Sequence, residues 1–194
     1  MCIRDREYTT VSADRVRDDY TSLVSAGSGG SKGVILDLRQ NGGGSLSGAW
    51  NLTDFLGPSS VDNQIMFSLQ QQSQGFDYRF GVYGSNLGII DPSKFVILID
   101  SSSASASELT SAALKDLGIA TLMGGQTYGK GVGQNVIGLL DGSGVYITSF
   151  ELLSPLGNSW HDVGVSPDYS LSTCLLYTSP SPRDAHESRM PSSA

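Results

Sequence analysis

The sequence is poor in the residues from which metal sites, disulfide frameworks and nucleic-acid interfaces are built. Of its 194 residues two are cysteine and two are histidine, and the cysteines, Cys2 and Cys174, lie near the two ends. The acidic residues are scattered, so no metal site is predicted. Twelve Lys and Arg against 19 Asp and Glu give a net charge of −7. This balance argues against a phosphate-binding surface and therefore against nucleic acid as a partner.

Long apolar runs are missing as well. No stretch approaches the roughly 20 residues that a helix needs to cross a bilayer, so no transmembrane segment is predicted. Glycine, by contrast, is abundant: its 24 residues cluster at 27–33, 42–48, 124–133 and 138–144. Glycine clusters indicate unusual backbone conformations or a close approach of the backbone to a ligand.

The two ends differ from the rest of the chain. Residues 178–194 are rich in Ser and Pro and hold one Met as their only large apolar residue, which is typical of a disordered tail. Residues 1–6 and 174–194 look like translated sequencing-adapter sequence, which fold reasoning excludes. We therefore expect one domain over 7–172, preceded by an artefact and followed, over 173–194, by an artefact or a natural disordered tail.

The middle of the chain alternates strands and helices. Two short apolar runs, GVILDL at 33–38 and KFVILID at 94–100, predict strands buried on both faces. Helices are predicted at about 45–56 and 106–117, and a third strand at 119–123. Strand–helix–strand repeats of this length imply an α/β fold with a largely parallel central sheet. In such folds ligands bind at the carboxyl ends of the strands.

Weaker patterns predict the remaining elements. A strand at 7–11 leads into a helix that Ser12 would cap, and a hairpin would turn at Asp141-Gly142. Residues 58–93 are polar and difficult to assign. The other predicted strands are 64–69, 76–83, 132–140 and 144–152.

The predicted strand at 33–38 runs into the motif DLRQNGGG at 37–44. Three consecutive glycines allow backbone N–H groups to converge on a negative oxygen, and a helix N-terminus adds a favourable field. The motif therefore indicates an anion or oxyanion cradle, or simply a tight turn between strand and helix. It has neither the lysine of a P-loop nor the spacing of a dinucleotide site.

The second buried strand is followed by a run of serine and alanine at 101–108. A serine at a helix N-terminus is ordinarily a cap. Small residues around such a corner can also expose one hydroxyl to a substrate, as in a nucleophile elbow. Ser103, Ser105 and Ser107 compete for that role.

A third motif, at 124–134, places Lys130 between glycines. Such a lysine is usually solvated, but desolvation would favour its uncharged form, which can act as a general base. His161 is the rival base, because Ser-His-Asp is the common arrangement in serine hydrolases. It lies in an apparent loop, where a surface or hydrogen-bonded structural histidine is the alternative.

The three motifs and a fourth, GVSPD at 164–168, resemble in their order the catalytic core of the C-terminal processing (tail-specific) serine proteases, peptidase family S41. The resemblance covers most of residues 7–170. The separation of 25 between Ser105 and Lys130 matches the family's spacing of nucleophile and base. The resemblance implies an α/β, ClpP/crotonase-like fold of repeated strand-strand-helix units with a mainly parallel sheet.

The resemblance also implies roles for individual residues. Ser105 would be the nucleophile, Lys130 the general base of a Ser-Lys dyad, and Gln134 the residue that positions the lysine. Eleven helical residues would put Asp116 about 16 Å along the helix from Ser105, so we interpret it as a structural carboxylate. The other implied positions are Gly43, Gly44 and Ala106 for the oxyanion hole, and Arg39, Glu108, Asp116 and Thr127 in support of the site.

The implied activity is that of a serine endopeptidase that cleaves proteins or peptides near their C-termini through an acyl-enzyme, without a cofactor. Family habit implies a periplasmic, lumenal or exported location. Because the PDZ domain that usually accompanies this core is absent, we expect little activity from the fragment alone. Two alternatives stay open: a non-catalytic module that binds a peptide or hydrophobic ligand, and an acyl-thioester enzyme on the same fold, in which the Ser-Lys pair would be superfluous.

Overall fold

The chain folds around two β-sheets. The structure is a computed structural model, and it describes residues 2–4, 16–18, 20–22, 33–57, 64–71, 76–82 and 92–171. Residues 16–18 and 20–22 are helical. The other elements, in chain order, are β1 Cys2–Arg4, β2 Val34–Asp37, α1 Leu46–Leu56, β3 Gln64–Gln71, β4 Phe76–Val82, a 3-10 turn Pro92–Lys94, β5 Phe95–Ile99, α2 Ala106–Asp116, β6 Thr121–Gly124, β7 Val132–Gly138, β8 Gly144–Leu153 and β9 Tyr169–Ser170.

The first sheet is parallel and has the strand order β1-β2-β5-β6-β9. The register aligns Leu36, Ile97 and Leu122 in one row across three strands, and each of them is buried. This row forms the centre of a core that both helices complete. The parallel sheet with its helices confirms the predicted α/β fold class.

Burial of the central strands differs from the prediction that both faces are covered. Val34 and Leu36 are buried, but Ile35 between them is 37% exposed. On β5, likewise, the residues alternate between buried and half-buried. The helix-facing side of these strands is therefore fully covered and the opposite side only in part. A continuous apolar run does not reveal this, because coverage depends on distant elements.

The α2 helix packs closely against α1. Its sequence, ASELTSAALKD, is dominated by small side chains, and nine of its residues are buried. Small side chains let two helices approach each other, and the hydroxyl of Thr53 on α1 reaches that of Thr110 on α2 at 3.5 Å. The beginning of α2 is thereby fixed deep in the molecule. None of the described helices is long and apolar enough to cross a membrane.

The second sheet is antiparallel and has the order β4-β3-β8-β7. Its strands β3 and β4 confirm the two strands predicted in the polar region 58–93. The β7–β8 hairpin turns at Asp141-Gly142 as predicted, and Gly142 adopts a φ of 86°. Most of this hairpin extends beyond β3, since only the last residues of β8, Glu151, Leu152 and Leu153, pair with β3.

The N-terminal segment departs from expectation. Residues 1–6 were expected to lie outside the fold, yet Cys2–Arg4 pairs with β2 as an edge strand. An open sheet edge accepts backbone hydrogen bonds from any extended segment, so this pairing does not test the origin of these residues. The strand predicted at 7–11 and the tail predicted at 173–194 lie outside the described residues.

Candidate active site

The three motif loops meet at one edge of the parallel sheet, because each follows the carboxyl end of a strand: β2, β5 or β6. Backbone hydrogen bonds join them. The Ala104 N–H donates to the Asn41 carbonyl, and the Tyr128 N–H donates to the Ser103 carbonyl, each at 3.0 Å. The first loop therefore touches the second, and the second touches the third.

Ser105 stands at the corner between β5 and α2 in an uncommon backbone conformation, with φ 55° and ψ −113°. A non-glycine residue with such angles carries strain of about 1–3 kcal/mol, which the surrounding structure must offset. Gly43 packs directly against this corner. A Cβ on Gly43 would lie 2.8 Å from the Cβ of Ser105 and 2.6 Å from the Ala104 carbonyl oxygen. A side chain on Gly43 is therefore excluded, and the backbone of the first loop lies against the serine.

The three competing serines differ in their surroundings. The Ser103 hydroxyl donates to the Leu38 carbonyl at 2.8 Å, and the Ser107 hydroxyl donates to the Asn41 carbonyl at 3.0 Å. Both side chains are fully buried, whereas Ser105 is half-buried. Ser103 and Ser107 thus attach the serine corner to the first loop, and Ser105 is the one of the three that a substrate can reach.

Glu108, in the first turn of α2, connects the serine corner to the lysine loop. Its carboxylate is fully buried and accepts four hydrogen bonds. One oxygen accepts from the backbone N–H groups of Ser105 and Lys130, each at 2.8 Å. The other accepts from the Thr127 hydroxyl and the Gly129 N–H, each at 2.6 Å. The backbone nitrogens of Ser105 and Lys130 are therefore no further apart than twice 2.8 Å.

The turn at 160–165 holds the lysine loop from the other side. The Val165 N–H donates to the Thr127 hydroxyl oxygen at 2.6 Å, and the Asp162 N–H donates to the Gly129 carbonyl at 2.9 Å. A Cβ on Gly164 would lie 2.4 Å from the Thr127 carbonyl oxygen. The GVSPD segment, which entered only as a family motif, thus contacts Thr127 through the Val165 N–H and the backbone of Gly164.

The glycines of the first loop are close to Ser105, but the N–H of Gly43 is already engaged. It donates to the Asn41 side-chain oxygen at 2.9 Å. Gly44 follows with a φ of 143°, and Ala106 is the first residue of α2. Sequence reasoning assigned no role to Asn41, although it lies within the motif, because an amide beside glycines has no fixed partner until the loop conformation is known.

Two predicted residues make their described contacts elsewhere. The Gln134 side chain is exposed, and its amide nitrogen lies 3.5 Å from the Thr148 hydroxyl on the neighbouring strand. Asp116 is the last residue of α2, at the end opposite Ser105, and accepts from the Leu156 N–H at 3.4 Å. Asp116 therefore supports the turn around Leu156 and not the serine corner.

Carboxylates also support the loops at the strand ends. Arg39 binds both oxygens of the buried Asp37, at 2.7 and 2.6 Å. Asp100, at the end of β5, accepts from the backbone N–H groups of Gln40 and Ser103 through one oxygen, at 3.0 and 3.1 Å. Asp100 was not predicted; an aspartate directly after a buried strand is the signal that could have found it.

His161 lies against the lysine loop. A Cβ on Gly131 would be 2.7 Å from the His161 backbone nitrogen. The ring nitrogen Nε2 is 3.8 Å from an Asp162 carboxylate oxygen, and Nδ1 is buried without a hydrogen-bond partner in the described part of the chain. The histidine is thus next to the site, but the lysine loop and the serine corner are joined by Glu108 and by the hydrogen bond from Tyr128 to Ser103.

Comparison with known proteins identifies the family. The model of peptidase family S41 matches residues 7–171. This chain belongs to peptidase family S41. The chloroplastic C-terminal processing peptidase of Tetradesmus obliquus is 36% identical over 170 residues, which are 88% of this chain and 34% of that protein. The carboxyl-terminal-processing protease of Synechocystis is 32% identical over 165 residues, 85% of this chain and 37% of that protein.

Solved structures show the same fold. The photosystem II D1 C-terminal processing protease superposes with a TM-score of 0.74 at 32% identity, covering 88% of this chain and 42% of that one. A lipoprotein from Streptococcus agalactiae, at 19% identity, shares the fold with a TM-score of 0.66 over 90% of this chain and 63% of that one. This S41 chain spans about a third of the length of the curated relatives it matches.

Proposed function

We propose that this S41 chain forms the active site of a serine peptidase in which Ser105 and Lys130 act as a dyad, and that it cleaves protein or peptide substrates near their C-termini. The observation that carries the proposal is the Glu108 oxygen shared by the backbone N–H groups of Ser105 and Lys130. It holds the segment with the half-buried hydroxyl beside the segment with the amine. The names of the relatives support the substrate class.

The proposed reaction begins with proton transfer. A serine hydroxyl is a weak nucleophile and needs a neighbouring base. An uncharged Lys130 would take the Ser105 proton while the oxygen attacks the substrate carbonyl, and would return that proton to the leaving amine. The C–N bond then breaks and leaves an acyl-enzyme on Ser105, which water hydrolyses with Lys130 again as the base. Ser-Lys pairs are a known variant of the serine triad.

Backbone N–H groups would stabilise the oxyanion. Ala106 is the first residue of α2, so its N–H has no acceptor within the helix and is available to a ligand. Gly44 would supply the second donor, since the Gly43 N–H is held by Asn41. The proposal gives Gly43 a different part: without a side chain it leaves room beside Ser105. One such donor contributes about 3–4 kcal/mol in a comparable enzyme.

Hydrolysis of a fluorogenic peptide and labelling by a fluorophosphonate, located by mass spectrometry, test this proposal. Ser105→Ala and Lys130→Ala should each lower kcat/KM by about a thousandfold or more. His161→Ala should keep activity, and Ser102→Ala, at an exposed serine of the same loop, is the matched control. Label on Ser103 or Ser107, or activity that depends on His161 and not on Lys130, would contradict the dyad. Peptide binding by a chain that neither cleaves the peptide nor takes the label at Ser105 would favour the non-catalytic alternative.

A further inference from the structure

A groove of about 440 Å³ lies on the antiparallel sheet beside the lysine loop. It is lined by Gln70 of β3, by Val132 of β7, by Thr148, Phe150 and Glu151 of β8, and by His161. Neither Ser105 nor Lys130 lines it. The groove is therefore separate from the proposed dyad, and nothing in the proposed reaction uses its side chains.

The groove is nevertheless continuous with the lysine loop. Val132 follows Lys130 by two residues, and His161 packs its backbone against Gly131 between them. A peptide that passes the lysine loop can therefore place a side chain in the groove. Because the chain has to extend beyond the reacting bond to reach it, the groove would act on specificity and not on the chemical step.

Glu151 gives the groove a negative charge. One carboxylate oxygen of Glu151 accepts from the Ser159 hydroxyl. Among the residues whose side chains the structure describes, none forms an ion pair with this half-buried carboxylate. Nδ1 of His161 is buried without a described hydrogen-bond partner. A half-buried carboxylate without a cation is unfavourable compared with a paired one.

Apolar surface lies beside this charge. Val132 lies directly opposite Glu151 in the β7–β8 register and is half-buried, so its side chain shares a face of the sheet with the carboxylate. A lysine or arginine side chain combines an apolar stem with a charged end. The stem can lie on Val132, the cross-strand neighbour of Glu151, while the charged end binds Glu151.

We propose that this groove is a specificity subsite for a basic side chain of the peptide substrate, an inference that rests on the proposed peptidase function. Glu151 is the specificity-determining residue, and Gln70 and Thr148 offer further hydrogen-bond partners at its rim. An extended segment with lysine or arginine should bind in preference to one with an uncharged side chain of the same length.

Peptide binding tests the subsite without relying on turnover. Fluorescence anisotropy on the full chain carrying Ser105→Ala compares a labelled, acetylated peptide that holds one lysine with its norleucine counterpart. We expect the lysine peptide to bind about fivefold more tightly at low salt. Glu151→Gln, which keeps the acceptor for Ser159, should reduce this ratio to about one. Asp141→Asn, at the exposed hairpin turn, removes one negative charge elsewhere and should leave the ratio unchanged.

The histidine gives a second readout. His161 and His186 are the two histidines of the chain, so their ring proton resonances are resolvable by NMR and assignable through His161→Gln. The lysine peptide should shift the His161 resonance, and the norleucine peptide should shift it less. This measurement reports on the groove itself, because His161 is one of its walls.

Three outcomes would overturn the subsite: equal binding of both peptides, binding of neither, or a lysine preference that survives Glu151→Gln. Cleavage of both peptides at equal rates by the chain with Ser105 intact would leave the peptidase proposal standing while the subsite fails. A lysine preference that Glu151→Gln abolishes, in a chain that cleaves no peptide, would do the reverse.

Discussion

Replacement of Glu108 by glutamine changes one atom at the point where the serine and lysine segments meet. The carboxylate accepts four hydrogen bonds and is fully buried. Glutamine keeps an acceptor oxygen for two of these donors and turns an NH₂ group toward the other two. The Thr127 hydroxyl can accept from that NH₂, but a backbone N–H cannot. The amide oxygen is therefore expected to remain on the side of Ser105 and Lys130, opposite Gly129.

The magnitude follows from the bonds that are lost. A hydrogen bond to a charged group contributes about 1.5–3 kcal/mol, so the loss of two amounts to about 3–6 kcal/mol. Because one lost donor, Thr127, regains a partner, we expect the lower end of that range. Total stabilities of single domains are about 5–15 kcal/mol, so Glu108→Gln should unfold at markedly lower denaturant concentration.

Urea unfolding followed by tryptophan fluorescence measures this change, since Trp160 is buried in the core. Glu151→Gln is the matched control: the same chemical change at a half-buried carboxylate with a single described hydrogen bond should cost less than about 1 kcal/mol. If Glu108→Gln destabilises the chain by no more than this control, Glu108 does not connect the two loops as described, and the argument for the dyad loses its main support.

Three further predictions concern backbone shape and pH. Gly43→Ala should destabilise the chain in urea unfolding by about 1–3 kcal/mol, since φ is 96° and the serine corner blocks a Cβ, whereas Gly42→Ala, with no atom within 4 Å of an added Cβ, should not. The hydroxyl and N–H of Ser143 hold the pKa of Asp141 below its usual 3.8. In Ser143→Ala, NMR titration should therefore show Asp141 with a higher pKa. The stability that this carboxylate contributes is present above its ordinary pKa and is lost as pH falls through its lowered pKa. Burial raises the pKa of Tyr20 above its ordinary 10.0, so this phenol should ionise late in an absorbance titration. Its contribution to stability is fully present below 10.0 and is lost as pH rises above 10.0 through the raised pKa. Ionisation at or below the ordinary pKa would contradict its burial.

The sequence predicted those parts of the fold that local pattern determines. The apolar runs and glycine turns predicted β2, α1, β5 and α2 to within about two residues, because the hydrophobic pattern and the turn residues that bound an element are local in the sequence. The half-exposed face of β2 could not be predicted in this way. The exposure of Ile35 depends on which distant segments cover the sheet, and no local pattern records that.

The candidate site, too, was predicted only in part. Topology predicted that the three motif loops meet at one sheet edge, since each follows a parallel strand. The hydrogen bond from Gly43 to Asn41 and the four donors on Glu108 depend on backbone angles in loops, including φ 55° at Ser105. Such angles are imposed by packing around the corner. Motif spacing therefore predicted which residues lie close together, but it did not predict the hydrogen bonds between them.

The Glu108 oxygen that Ser105 and Lys130 share determines where their backbones lie, but it does not contact the two side chains proposed to react. It binds the main chain of Ser105 and Lys130 and leaves both side chains untouched. Ser105→Ala and Lys130→Ala should therefore remove activity while loop positions and stability stay close to those of the parent. Glu108→Gln leaves the hydroxyl and the amine in place chemically but loosens the loop that carries the amine, because the bonds from Thr127 and Gly129 to the carboxylate are lost. A site whose side-chain variants are inactive and stable, and whose Glu108 variant is inactive and unstable, is one in which a buried carboxylate positions a dyad that it does not take part in.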